Sequence, residues 1–262
     1  MGQSTTPTFN RRAALRTALG AAALAGVGGT RAFARAPARN VVLVHGAWAD
    51  GSCWSDVIIR LQAAGFNVTA VQNPLTSLAD DVAVTRRALA LQDGPTVLVG
   101  HSWGGMVITE AGVDPKVTAL VYVAARAPDA GEDFNALAAR YPTMPARSGV
   151  LTTEGYSRLS REAFLKHFAG DVDPARALVL YAAQQPIAAD LFSGRTTAAA
   201  WRSKPSWYAV STRDETTSPD LERFLAQRMK ATTVELASSH LSMISHPQAI
   251  ADLIAAAAKA GG

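Results

Sequence analysis

A serine that lies between an apolar strand and an apolar helix is the residue of this sequence whose pattern most clearly indicates a chemical role. Residues 100–104 read Gly-His-Ser-Trp-Gly and fit the G-x-S-x-G pattern of a nucleophile elbow. In such an elbow a sharp turn exposes the serine hydroxyl, and the glycines avoid clashes that Cβ atoms would cause. The apolar residues 97–99 and 106–108 supply the strand and the helix that the turn requires. We therefore predict that Ser102 is a nucleophile and that N–H groups at the helix start stabilise an oxyanion.

A histidine–glycine pair ends the first predicted strand, residues 40–45. When such a turn lies beside a nucleophile elbow, the N–H after the glycine is placed to donate to the oxyanion. We assign that role to the backbone N–H of Ala47, with the N–H of Trp103 as the second donor. An ordinary β-turn is the alternative interpretation of these residues. His45 itself is expected to form structural hydrogen bonds rather than to act as a base.

A carboxylate and a histidine follow the last two predicted strands. The strand at 205–212 leads into Asp214, and the strand at 232–236 is followed by His240. The order Ser102, Asp214, His240 is that of one form of the catalytic triad. His240 would take the serine proton and pass it to the leaving group, while Asp214 would fix the imidazole tautomer and stabilise the imidazolium.

Other residues remain alternatives for the acid and the base. Glu215 and Asp220 lie in the same loop as Asp214, and the register of a loop cannot be read from its sequence. Asp220 also suits the start of the helix predicted over 221–230. Three further histidines are poorer candidates for the base, because they lie in the elbow, in an inserted segment and before a proline: His101, His167 and His246.

Strands and helices alternate along the first half of the chain. Apolar strands are predicted at 40–45, 67–71, 97–99 and 117–124, with amphipathic helices at 55–64 and 78–91. This order predicts an α/β fold, with a mostly parallel sheet flanked by helices. Asp80 and Asp81 are interpreted as residues of a helix start, where negative charge is favourable, rather than as a catalytic pair.

The sequence changes character between residues 126 and 204. Prolines interrupt it, the helical patterns are short (160–168 and 174–184), and no strand is predicted. We interpret this segment as a small helical cap over the carboxyl ends of the strands, where ligands bind in open α/β sheets. Four of its aromatic residues are candidates for the pocket wall, although most are expected to pack the cap on the core: Phe164, Phe168, Tyr181 and Phe192.

Length and composition limit the classes of function. The 262 residues, 48% of them hydrophobic, suit one large α/β domain, predicted over 35–262. Cys53 is the only cysteine and the histidines are scattered, so neither an internal disulfide nor a metal site is predicted. The formal charge of +4 equals the charge of four arginines in residues 1–34, which contain no acid. The remainder is formally neutral and gives no reason to expect a nucleic-acid partner.

Residues 1–34 have the pattern of a signal peptide. The pair Arg11-Arg12 precedes an apolar run of about 13 residues, and Ala-Phe-Ala at 32–34 suits a cleavage site. The run is too short for a comfortable membrane span, so stable membrane insertion of the mature chain is not expected. The paired arginines favour twin-arginine export from a bacterial cytoplasm, and hence a periplasmic or secreted protein.

From about residue 40 onward the sequence resembles the α/β-hydrolase superfamily, because all three motifs occur in the expected order. His-Gly-Ala-Trp at 45–48 and Ser-His-Leu-Ser-Met-Ile-Ser at 239–245 are similar to the small-cap branch of plant methylesterases and hydroxynitrile lyases. Those lyases typically carry threonine and lysine where this sequence has Gly46 and Leu241, and the lysine helps to stabilise cyanide. The resemblance therefore implies ester hydrolysis through an acyl-enzyme, without a metal or organic cofactor.

We expect an exported serine esterase that acts on small or medium, fairly apolar esters or lactones. A lyase or a cofactor-free perhydrolase that uses the same serine is the alternative enzyme. A ligand-binding protein on a hydrolase scaffold is the non-enzymatic alternative, which the presence of all three triad residues argues against. The sequence names neither a physiological substrate nor an oligomeric state.

Overall fold

The computed structural model describes residues 37–260 as nine strands and nine α-helices, several of the helices being a single turn. The strands are β1 (Asn40–Val44), β2 (Asn67–Val71), β3 (Thr96–His101), β4 (Val117–Val123), β5 (Val150–Thr153), β6 (Tyr156–Leu159), β7 (Ile187–Ala188), β8 (Ser206–Ser211) and β9 (Thr232–Leu236). The helices are α1 (Ser55–Ala63), α2 (Leu78–Ala90), α3 (Gly104–Ala111), α4 (Phe134–Ala138), α5 (Arg161–Ala163), α6 (Pro174–Ala183), α7 (Pro219–Arg228), α8 (Ser242–Ser245) and α9 (Pro247–Ala260).

Six strands form one parallel sheet in the order β2-β1-β3-β4-β8-β9. Every residue of β1, β3, β4 and β8 is buried, whereas β2 and β9 at the edges are partly exposed. Strands buried on both faces need continuous apolar runs, which explains why the sequence predicted them so clearly. The predicted α/β fold is confirmed.

The strand order reverses between β1 and β3, and this reversal positions the site. The two strands are parallel neighbours, with Val44 opposite Gly100 in the register. The turn that follows β1 and the elbow that follows β3 therefore leave the sheet side by side. The loops after β8 and β9 leave the same edge, also as neighbours. Ligands of open α/β sheets bind at such a point.

The helices match their predicted positions closely. Helix α1 packs against α9, and α2 packs against α3. Helix α3, which follows the elbow, has seven of its eight residues buried, so its N-terminus lies inside the protein. Among the helices of residues 37–260, none is both long and apolar enough to cross a membrane.

The segment predicted as a purely helical cap also contains a small sheet. Strands β5, β6 and β7 form three antiparallel strands, which the sequence analysis did not anticipate. They have only four, four and two residues, too few for an alternating pattern to stand out. The hairpin between β5 and β6 turns at Glu154 and Gly155, both with positive φ (50° and 81°), as tight hairpins require. The helix predicted over 160–168 is α-helical only at Arg161–Ala163 and continues as a π-helical turn.

Candidate active site

Ser102 lies in the turn between β3 and α3 with a backbone φ of 51°, in the left-handed region. A residue with a side chain pays about 1–2 kcal/mol for this conformation, so the surroundings must hold it. The N–H of Ser102 donates to the carbonyl oxygen of Val123 at 3.1 Å, and its own carbonyl accepts from Gly105 and Arg126, each at 3.0 Å. The turn is therefore tied to the ends of β4 and α3, and the structure has the predicted elbow geometry.

Two glycines allow the backbone segments around the elbow to approach each other. A Cβ atom on Gly104 would lie 2.5 Å from the carbonyl oxygen of Val44, at the end of β1. A Cβ atom on Gly46 would lie 2.7 Å from the Cβ of Ser102. Both distances are far below van der Waals contact, so a side chain at either position would push the turn after β1 away from the elbow.

The backbone N–H groups of Ala47 and Trp103 lie next to Ser102. Trp103 follows Ser102 in the chain. Ala47 follows Gly46, at which an added Cβ atom would lie 2.7 Å from the Cβ of Ser102. Within residues 37–260 neither N–H donates a hydrogen bond to a protein acceptor. Two unused N–H donors beside a nucleophile, one of them at the start of a buried helix, are suited to stabilising an oxyanion.

The structure brings His240 and Asp214 together. Nδ1 of His240 lies 2.5 Å from Oδ2 of Asp214, and both side chains are completely buried. The other carboxylate oxygen, Oδ1, accepts from the N–H groups of Thr216 at 2.6 Å and Thr217 at 2.9 Å. Asp214 is thus held from both sides, and it can fix the His240 ring with Nδ1 as the donor and Nε2 as the acceptor.

The ring of His240 packs beside the elbow. Its centroid lies 4.7 Å from that of His101 and 5.1 Å from that of Phe168. His101 Nε2 also donates to the carbonyl oxygen of His240 at 3.0 Å, which joins the end of β3 to the loop that carries His240. Nε2 of His240 is buried without a hydrogen-bond partner in the described chain, so the Ser102 hydroxyl is not bonded to it here. Such contacts often tighten only when substrate is bound.

The alternative acids point elsewhere. Glu215 pairs with His167 of the inserted segment. Asp220 pairs with Arg223 at 3.0 Å and its side chain is 74% exposed. Of the three acids that the sequence left open, Asp214 is therefore the one that contacts His240.

The remaining histidines have structural surroundings. His45 accepts at Nε2 from the N–H of Asn73 at 2.9 Å and donates at Nδ1 to the carbonyl oxygen of Gly46 at 2.8 Å. Burial lowers the pKa of His45, and burial followed by the nearby His240 lowers the pKa of His101 well below its usual value. His246 bonds the hydroxyl of Ser245. Across the described ranges, no group of three or more His, Cys, Asp or Glu residues could hold a metal ion.

Asp81 has a role that its position in the sequence did not reveal. It is completely buried, and its Oδ2 accepts from the indole Nε1 of Trp103 at 2.7 Å. Its Oδ1 accepts from the N–H of Leu75 at 2.9 Å. Asp81 therefore anchors the residue whose N–H is predicted to face the oxyanion. Its neighbour Asp80 lies in the first turn of α2, where its N–H donates to the capping hydroxyl of Ser77 at 3.1 Å. A long-range hydrogen bond of this kind leaves no signal in the sequence around Asp81.

The pKa of Asp81, raised to about 6 by burial, predicts how stability responds to pH. Because the carboxyl holds its proton more tightly in the folded protein than in the unfolded chain (about 3.8), it favours folding increasingly as pH falls between those values. The full difference corresponds to about 3 kcal/mol. We expect the free energy of unfolding of the wild type minus that of Asp81→Asn, from urea titrations, to grow between about pH 7 and about pH 4.

Asp80→Asn is the matched control for this prediction. Asp80 is exposed, and hydrogen bonds from Ser77 and Thr76 lower its pKa, so the corresponding difference should shrink as the pH falls. A difference for Asp81→Asn that does not vary with pH would contradict the predicted titration.

Glu222 is a second buried carboxyl that the sequence analysis missed. Its side chain is fully buried behind the loop of Asp214, and Oε2 accepts from the N–H of Ser211 at 3.0 Å. Burial, and then the negative charge of Asp214, raise the pKa of Glu222 well above its usual value. Both effects favour the protonated form of Glu222.

A cavity of about 310 Å³ opens over Ser102. Trp48, Phe192 and Arg126 lie in its wall together with residues from the small sheet of the insert. Of the four aromatic candidates for the wall, Phe192 is the one that lines this cavity. The other three pack on the core or on one another: Phe164, Phe168 and Tyr181.

The chain belongs to the Alpha/beta hydrolase family, whose sequence pattern matches residues 41–253. It is 37% identical over 114 residues to the carbendazim hydrolyzing esterase of Nocardioides sp. (strain SG-4G), covering 37% of this chain and 46%, less than half, of that protein. It is 25% identical over 254 residues to Methylesterase 2 of Arabidopsis thaliana, and the alignment covers 84% of this chain and 96% of that protein. The crystal structure of polyneuridine aldehyde esterase shares the fold, with a TM-score of 0.70 at 19% identity over 83% of this chain and 98% of that chain. Within the family, the chain is thus similar to a methylesterase over most of its length.

Proposed function

We propose that this protein is a serine esterase that hydrolyses carboxylic esters through an acyl-enzyme formed on Ser102. The observation that carries the proposal is the buried contact of His240 Nδ1 with Asp214 Oδ2 at 2.5 Å, beside a strained serine elbow. The names of the relatives, an esterase and a methylesterase, support the same reaction class.

In the first half of the proposed reaction, the Ser102 oxygen attacks the carbonyl carbon of the ester. Its proton moves to Nε2 of His240, which accepts from no other donor within residues 37–260. The carbonyl oxygen becomes an oxyanion and accepts from the N–H groups of Ala47 and Trp103. The imidazolium then protonates the departing alkoxide, the alcohol leaves, and the acyl group stays on Ser102.

In the second half, water replaces the alcohol. His240 takes a proton from the water as its oxygen attacks the acyl carbon, and the same two N–H groups stabilise the second oxyanion. Collapse returns the proton to Ser102 and releases the carboxylic acid. Asp214 stabilises the imidazolium of His240 in both halves, and the two N–H bonds from the loop hold the carboxylate in place for this role.

A graded series of 4-nitrophenyl esters tests the proposal on the full chain. We expect hydrolysis of short and medium acyl chains, and falling kcat/KM for chains too long for a cavity of about 310 Å³. If the folded protein releases no 4-nitrophenol from any member of the series, ester hydrolysis is not its activity.

Two alternatives use the same serine. Cyanohydrin cleavage is disfavoured by Leu241, a buried apolar side chain that offers no charge to cyanide. A perhydrolase would need hydrogen peroxide and would form a peracid, so assays with and without peroxide separate it from an esterase.

We further propose that residues 1–34, which lie outside the described part of the chain, direct export by the twin-arginine route. The support is the pair Arg11-Arg12 before a short apolar run. In a bacterial host, replacing both arginines by lysine should retain the activity in the cytoplasm, measured as the fraction released with the periplasm. Periplasmic activity equal to that of the wild type would exclude this route.

A further inference from the structure

Arg126 lies in the wall of the cavity that contains Ser102. Its backbone N–H donates to the carbonyl oxygen of Ser102 at 3.0 Å, so the residue is held beside the nucleophile. Its guanidinium lies 4.2 Å from the ring centre of Phe192 and 5.0 Å from that of Phe134. Cation–π contacts of this kind orient a guanidinium without using its N–H donors in the ring plane.

The charge of Arg126 has no acidic partner among the residues that the structure describes. Within residues 37–260 its side chain forms neither an ion pair nor a hydrogen bond, and its Nη1 atom is buried. Burial, with a smaller effect of Arg147, lowers the pKa of Arg126 to about 9, so the side chain is still a cation at neutral pH. Arg228 provides a comparison. It also lies against two aromatic rings, but its charge is balanced by an ion pair with Glu132 at 2.8 Å. A cation that is partly removed from water and has no such acceptor is unfavourable.

A second arginine lies near Arg126 in the wall of the cavity. Arg147 lines the same cavity, and both arginines also line a second one of about 370 Å³. Two threonines of the loop after β8 lie in both walls, but the acids of that loop, Asp214 and Glu215, are each paired with a histidine. Neither of these two carboxylates is therefore free to neutralise the arginines.

We propose that the substrate carries a carboxylate besides the ester to be cleaved, and that Arg126, assisted by Arg147, binds this carboxylate. The inference rests on the proposed ester hydrolysis and narrows its substrate class to half-esters and other anionic esters. A planar guanidinium matches the two oxygens of a carboxylate, and such a contact is short and strong when water is excluded. The rings of Phe192 and Phe134 keep the guanidinium in place for it.

Two pairs of substrates test the proposal, since the carboxylate can lie on either side of the ester. The acyl-side pair is mono-(4-nitrophenyl) adipate and 4-nitrophenyl heptanoate. The alcohol-side pair is 4-acetoxybenzoate and phenyl acetate. The measured quantity is the ratio of kcat/KM for the anionic to the neutral member, in the wild type, Arg126→Gln, Arg126→Lys and Arg87→Gln. Arg87 is exposed on α2 and controls for the loss of one positive charge.

In at least one pair, Arg126→Gln should lower the ratio about ten-fold or more, because a charge-assisted contact is lost. Arg126→Lys keeps the charge without the planar fork and should retain part of the ratio. Arg87→Gln should change it by less than about two-fold, because an exposed charge is screened. An unchanged ratio for Arg126→Gln in both pairs overturns the proposal, and hydrolysis of the neutral esters would then leave the esterase function standing.

A binding measurement covers the case in which no ester of either pair is hydrolysed. That result contradicts the proposed function but not the anion site. Calorimetry with Ser102→Ala and mono-(4-nitrophenyl) adipate or 4-acetoxybenzoate then decides. For at least one of the two probes, adding Arg126→Gln should weaken the Kd about ten-fold or more. Equal Kd values, or no binding by Ser102→Ala, overturn the anion site itself.

Discussion

Replacing Ser102 by alanine should lower kcat for 4-nitrophenyl esters on the order of a million-fold. The alanine removes the only atom that is proposed to bond the acyl group, and neither Asp214 nor His240 can replace it as nucleophile. Residual hydrolysis should reflect the two N–H donors of Ala47 and Trp103 and the binding of substrate in the cavity. Steady-state kinetics of the wild type and the variant measure the loss of kcat. In a second experiment, a phosphonate that labels active-site serines is added to the wild type, and mass spectrometry locates the labelled residue.

Ser102→Gly is the matched control for folding. Both variants lack the hydroxyl, but glycine also removes the Cβ atom that strains a backbone with a φ of 51°. We expect both variants to be inactive, and Ser102→Gly to be at least as stable as Ser102→Ala in thermal unfolding. Substantial esterase activity in either folded variant would place the nucleophile elsewhere.

The substitution Asp214→Asn should lower kcat about ten-thousand-fold. Asparagine would still fill the site, but it cannot stabilise the imidazolium of His240 as a carboxylate does. Its amide group would also face Nδ1 of His240 as a donor, which favours the tautomer with the proton on Nε2. That tautomer cannot accept the proton of Ser102, so the base is lost while the fold is kept. The ester assay, with circular dichroism as the test of folding, measures the effect.

The neighbouring acids provide the controls for this variant. Glu215→Gln removes the partner of His167, and Asp220→Asn removes an exposed partner of Arg223. Neither acid contacts His240, so both variants should lose far less activity than Asp214→Asn. A loss in Glu215→Gln as large as that in Asp214→Asn would mean that Glu215 is the acid of the triad.

The elbow illustrates what local sequence determines. A buried strand, a glycine–x–serine–x–glycine turn and an apolar helix are all encoded within about fifteen residues by short-range sterics and hydrophobic pattern. The same holds for the strands that precede Ala47 and Asp214, because each is a buried, mostly apolar run in the centre of a parallel sheet. The sequence by itself therefore determined the fold class, the order of the motifs and the residues most suited to the chemistry.

The register of the loops and the partners of buried polar groups could be determined only from the tertiary structure. Asp214 and Glu215 are adjacent in sequence, yet one meets His240 and the other His167, because loop register depends on contacts with distant elements. The three short strands of the insert are stabilised by one another rather than by their own patterns.

Asp81 and Arg126 show most clearly the difference between what the local sequence predicts and what the tertiary structure decides. Asp81 has the sequence context of a helix-start residue, but its partner is an indole 22 residues away. Arg126 follows a strand and belongs to no sequence motif. Only the cavity around it shows a cation without an acidic partner in the described part of the chain. Local pattern records which faces of the chain are apolar, whereas the partner of a buried charge depends on which distant segments fold against it.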